Sequence, residues 1–135
     1  MAANTSPIYS IAANVAWGTV ATANTAKDGT GTVVTVFTAG AEGSRIERIR
    51  VRAAGTNVAT VLRVFINNGS TNATPGNNSL LTESTIAATT LSEVAALAET
   101  DILMNLSVPA GYKINITIGT TVAAGLAVTA VGGNY

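Results

Sequence analysis

From Tyr112 to Gly119 the chain reads YKINITIG, with Ile114, Ile116 and Ile118 on one parity and Lys113, Asn115 and Thr117 on the other. A period of two sends one set of side chains to a core and the other set to the opposite face of a sheet. The same texture recurs in short pieces. TVVTVFT covers residues 32–38, RIERIRVRA covers 45–53, TVLRVFIN covers 60–67 and LLTESTIAAT covers 80–89. Gly-, Pro- and Asn-rich turn signals separate these pieces at roughly 8–12-residue spacing. About eight short strands of this kind predict an all-β fold, an antiparallel β-sandwich of jelly-roll type. Residues 90–101, TLSEVAALAETD, stay open between a short helix capped by Ser92 and a strand running into ILMNLSV.

The 135 residues show no second composition zone and no repeat, which predicts one sandwich domain over 15–135. Residues 1–14 read as an N-terminal arm or first strand. Residues 67–79, NNGSTNATPGNNS, form a polar loop long enough to be functional or mobile. Ile46 is out of phase with Ile49, which predicts a bulge near Glu47. KDGTGT over 27–32 predicts a hairpin turn at Asp28-Gly29. A phosphate loop would need G-x-x-x-x-G-K-[ST] opening a helix, and this turn lies between strands.

The chain has no Cys and no His. That removes thiolate chemistry, disulfides, the usual general base and the commonest zinc ligand. Seven carboxylates remain. Glu99 and Asp101 share a strand face if 94–104 is extended, but a glycosidase pair needs a cleft with sugar-stacking aromatics. One Trp, three Tyr and two Phe must serve the whole chain. No D-x-[DN]-x-[DN]-G calcium loop occurs. The expectation is no catalytic residue, no metal and no cofactor.

Five of the seven basic residues fall within 45–63: Arg45, Arg48, Arg50, Arg52 and Arg63. The stretch reads as a β-hairpin turning at AAGTN. Arg48, Arg50 and Arg52 lie on one face of its first strand, opposite Ile49, Val51 and Ala53. Its second strand mixes Val61, Arg63 and Phe65 on the face opposite Leu62, Val64 and Ile66. An apolar face interrupted by arginine implies that something covers it. A nucleic-acid surface would want net positive charge and stacking aromatics, but formal net charge is zero. Two readings remain, and they are compatible. The arginines pair with Glu47, Glu83, Glu99 or Asp101 of the same chain, or they meet another subunit, where planar, weakly hydrated Arg is favoured. Tyr9, Trp17 and Tyr135 near the chain ends are further candidate anchors, with Trp17 better suited to the core.

Zero net charge and a mean hydropathy of +0.40 favour association. No apolar run approaches the ~18–20 residues of a membrane span. The first residues lack a basic stretch followed by an apolar one, so the expectation is synthesis in a cytoplasm without a signal peptide.

GSRIERIRVRAAGTNVATVLRVFINNG (43–69), LSVPAGYKINITIG (106–119) and the ending AAGLAVTAVGGNY (123–135) resemble small proteins encoded among the structural genes of tailed bacteriophages. Over about Gly29 to Tyr135 the chain is similar to the jelly-roll head decoration proteins, also called cement or auxiliary capsid proteins. The resemblance implies a homo-oligomer, with a trimer favoured, on the outer capsid surface of a virion. There it would bridge subunits of the major capsid protein and stabilise the shell, with no catalysis and no contact to nucleic acid or membrane. On that reading Arg48, Arg50, Arg52, Val61, Arg63, Phe65, Tyr9, Trp17 and Tyr135 are the candidate interface residues. Two rival readings are a tail-fibre or receptor-binding module for glycans and a hydrolase built on Glu99 and Asp101.

Overall fold

The computed structural model describes residues 9–135, so the reading of residues 1–8 as an arm lies outside the described residues. Among the described residues eight strands form: β1 (Ala12–Val20), β2 (Val34–Thr38), β3 (Ser44–Ala53), β4 (Thr60–Asn67), β5 (Asn78–Ile86), β6 (Glu99–Val108), β7 (Lys113–Ile118) and β8 (Leu126–Asn134). One 3₁₀ turn, Pro75–Asn77, interrupts the loop before β5. Residues 90–98 are neither helix nor strand. They connect β5 to β6.

The strands make two four-stranded sheets, β1-β8-β3-β6 and β2-β7-β4-β5, with every strand pair antiparallel. First pairs with last, second with seventh, third with sixth and fourth with fifth. The chain therefore behaves as one long antiparallel ribbon, doubled at β4–β5 and wrapped across the two sheets. This is the jelly-roll arrangement of two nested Greek keys.

Two local expectations are corrected by this wrapping. Residues 45–70 are not a hairpin, because β3 and β4 lie in different sheets and Ala54–Ala59 is a corner between them. The turn at Asp28-Gly29 is likewise no hairpin, since it lies in the long 21–33 connection from β1 to β2, again between sheets. The chain does bend at both places, and at the first Gly29 has φ +78 and Asp28 Oδ1 accepts from the Thr30 amide at 3.0 Å and hydroxyl at 2.6 Å. A tight turn does not by itself decide whether the flanking strands pair. The hairpin that does form inside a sheet is β4–β5, closed by the long polar loop.

The inward parity of each strand supplies the core. Ile46, Ile49 and Val51 of β3 and Leu126, Val128 and Ala130 of β8 face Leu62 and Val64 of β4 and Ile114, Ile116 and Ile118 of β7. Fully burying one such side chain contributes about 1.5–3 kcal/mol. The register of β3 shifts between Ile46 and Arg48 against both of its neighbours. Glu47 and Arg48 both point out, which restores Ile49 to the core after Ile46. The bulge expected near Glu47 is present.

The outer face of the β2-β7-β4-β5 sheet is also buried along its two central strands, β7 and β4. Arg63, Phe65 and Asn67 of β4 and Asn115 and Thr117 of β7 point away from the core, yet each is buried. The 21–33 connection is anchored at both ends of this face. Asn24 N–H donates to the Ile118 carbonyl at 2.8 Å. At the far end the Asn72 and Asn78 side-chain amides hold the carbonyls of Gly31 (2.8 Å) and Asp28 (3.2 Å). The polar loop after β4 is therefore a structural clamp: its asparagines satisfy the backbone of a segment that has no strand partner there.

Candidate interaction surface

The arginine ladder is settled by strand pairing. β3 pairs with the edge strand β6, which puts Arg50 opposite Asp101 and Arg52 opposite Glu99. Arg50 grips Asp101 through two bonds, Nε to Oδ1 and Nη2 to Oδ2, both 2.9 Å. Arg52 reaches Glu99 at 3.3 Å, and Arg48 stands 3.9 Å from Asp101. Arg45 donates to Asn105 at 3.4 Å. The hydrogen bond from Arg50, with the charges of Arg50 and Arg48, holds the Asp101 carboxyl below its ordinary value and drives the Arg50 guanidinium further into its charged form. Glu99 and Asp101 are thus engaged with arginines and do not converge on a cleft.

Arg63 pairs differently. Its Nε donates to Glu83 Oε1 at 2.7 Å across β4–β5. Arg63 is only 8% exposed and Phe65 is fully buried. Both are covered within the chain, which corrects their assignment to a subunit interface; Val61 beside them is half-buried, with its carbonyl taken by the Gly119 amide at 2.9 Å. The expectation that this mixed face is covered holds, but the cover is the protein's own 21–33 connection. Tyr135 is also held internally. Its hydroxyl lies 2.7 Å from Ser107 Oγ, and its amide donates to the Gly43 carbonyl.

Trp17 overturns the expectation of a core tryptophan, because it is 71% exposed. The cause lies in β1 itself. Inward positions hold Asn14, Ala16 and Gly18, which are small or polar, and reach a large core side chain only at Val20, while Val15, Trp17 and Thr19 point outward. The small inner face lets β2 come close: a Cβ on Gly18 would lie 2.6 Å from Val34 Cγ1. Asn14 Nδ2 donates to the Thr38 carbonyl at 3.0 Å and to Asn134 Oδ1 at 2.8 Å. The large apolar side chains are left outside. Ile11, tied to β8 by its amide on the Asn134 carbonyl (2.8 Å), is 84% exposed, and Tyr9 beyond it is exposed as well.

Strand pairing extends this stripe across the sheet. One row runs Val15, Val131, Arg48, Leu103, and the next runs Trp17, Thr129, Arg50, Asp101. Leu103 at the far end is 76% exposed. The outer face of β1-β8-β3-β6 is therefore apolar at one edge, carries a paired arginine–carboxylate ladder beside it, and ends on a bare leucine. Aromatic and Arg side chains on a flat face of low net charge have the composition of a protein–protein contact.

The two open edges of the sandwich differ. At β1 and β2 it closes. At β5 and β6 it leaves a slot of about 200 Å³ lined by Leu81, Thr82, Ile102, Leu103, Met104 and Leu106. A second, wider hollow of about 410 Å³ lies within the 91–97 connection beside Arg52. Among the described residues no cluster of three or more acidic side chains is placed to hold a metal ion.

No protein-family model matches the chain, and neither a curated protein nor a solved structure matches it. The class that the fold defines is an eight-stranded jelly-roll sandwich with one outer face buried over its central strands and the other bare.

Proposed function

We propose that the chain is a structural virion protein that decorates the outside of a phage head and braces its major capsid protein, acting as a homo-oligomer without catalysis. The observation that carries this reading is β1 with the residue before it: Ile11, Val15 and Trp17 face solvent, while the inward positions Asn14, Ala16 and Gly18 are small or polar and only Val20 at the strand's end is a large core side chain. Isolated surface apolars are ordinary, but a row of them along one strand beside exposed arginines calls for a covering chain. A doubly wrapped sandwich supplies the rigidity a clamp needs. A neutral chain has no field to oppose close packing of copies on a lattice. The trimer and the capsid position follow from the resemblance of 43–69, 106–119 and 123–135 to decoration proteins.

Heads that lack this chain, mixed with the purified protein and run on a density gradient, test the reading. Saturable co-sedimentation at a fixed number of copies per head supports it. Absence of binding at tens of micromolar protein overturns it.

A further inference from the structure

We infer that copies of this chain associate head to tail, with Trp17 of one copy seated in the slot between β5 and β6 of the next. The inference rests on the assembly reading above and names the partner of one part of that surface. Three properties of the slot fit an indole. Its walls are apolar (Leu81, Ile102, Leu103, Leu106), and its volume of about 200 Å³ exceeds the ~150 Å³ of an apolar cavity that takes up benzene. Met104 contributes a thioether, which favours aromatic neighbours. An indole N–H seeks an acceptor when buried, and the slot wall includes the Thr82 side chain, whose hydroxyl oxygen can accept.

The slot suits a side chain rather than an added strand. Asn105, with φ +44, and the register shift beside it distort the β6 edge, and Glu99 and Asp101 charge it. Such features blunt an edge against strand pairing. Trp17 cannot fill the slot of its own chain, because β1 and β6 are the two outer strands of one sheet, roughly 14 Å apart at three inter-strand spacings. Donor and acceptor on opposite edges of one sheet make a heterologous contact. Repeating it closes a ring or grows a filament, and a closed ring of three copies is one such solution.

Two exposed-site variants test this with the full chain, because neither change reaches the core. Trp17→Ala removes the inserted group and keeps the slot; Leu103→Glu blocks the slot and keeps the indole. Sedimentation velocity over a concentration series is expected to show an oligomer for the unmodified chain and at least tenfold weaker association for each variant alone. A one-to-one mixture of the variants retains one good contact per pair, so it is expected to form dimers and nothing larger. A mixture that stays monomeric, a Trp17→Ala variant that assembles like the unmodified chain, or an unmodified chain that is monomeric throughout each overturns the inference. Circular dichroism and melting temperature confirm that both variants fold. Head binding by the unmodified chain separates the two ideas: an unmodified chain that is monomeric and still decorates heads removes the ring and leaves the decoration reading standing.

Discussion

Arg63 and Glu83 show how much a single pair depends on where it sits. The guanidinium is buried within the chain, and one of its nitrogens, Nη1, has no hydrogen-bond partner, as is true of Oγ1 of its cross-strand neighbour Thr117. Removing the carboxylate strands a buried cation, so Glu83→Ala is expected to cost about 2–3 kcal/mol in urea unfolding, toward the low end for a buried pair because Glu83 is half exposed. Replacing the cation by an apolar chain of similar length, Arg63→Met, is expected to cost far less than Glu83→Ala or to stabilise. Thr117→Val deletes an unsatisfied buried hydroxyl and is expected to be neutral or stabilising by up to about 1 kcal/mol. Arg50 and Asp101 are exposed, and their contribution is set by pH. The Asp101 carboxyl is held below its ordinary value of 3.8 by Arg50. Its stabilising share is therefore complete above that value and is lost as pH falls through the lowered one. The melting-temperature gap between the unmodified chain and Asp101→Asn is expected to be present at neutral pH and to vanish in strong acid.

Strand β1 shows what alternation alone can and cannot decide. Its odd positions, Val15, Trp17 and Thr19, were legible as one side of a strand, but pattern favours the larger apolar set as the core side. The structure reverses that choice because β1 must approach β2 closely enough to exclude a Cβ at Gly18. Gly18→Val is expected to destabilise by about 1–3 kcal/mol through overpacking against Val34, measured by thermal or urea unfolding. The β3 bulge was legible, because Ile46 and Ile49 cannot both face a core without an extra residue between them. The pairing of β3 with β6 and β8 was not, because turn signals at Asp28-Gly29 and at AAGTN name bends without naming partners. The clamp made by Asn72 and Asn78 was also hidden, since asparagine in a polar loop looks the same whether it meets water or a distant carbonyl. Asn72→Ala removes bonds to the Gly29 and Gly31 carbonyls. It is expected to open the 21–33 connection to limited proteolysis at protease levels that leave the unmodified chain intact.

At the scale of the whole molecule the wrapped ribbon separates two jobs. The sheet β2-β7-β4-β5 is covered on one face by the core and, along its central strands β7 and β4, on the other by the chain itself, and serves stability. The sheet β1-β8-β3-β6 is covered on one face and bare on the other, and the bare face carries the assembly proposal. Candidate interface residues read from sequence divide along this line: Arg63 and Phe65 belong to the first sheet, and Trp17, Arg48, Arg50 and Arg52 belong to the second. Arg50 and Arg52 on that face are already paired with Asp101 and Glu99, so the apolar stripe rather than the ladder is assigned the contact energy. Head co-sedimentation of Trp17→Ala beside Arg50→Ala tests that assignment most directly. The account predicts at least a tenfold loss of binding for Trp17→Ala, as expected for a tryptophan hot spot, and a much smaller loss for Arg50→Ala. Unchanged head binding by Trp17→Ala would contradict it.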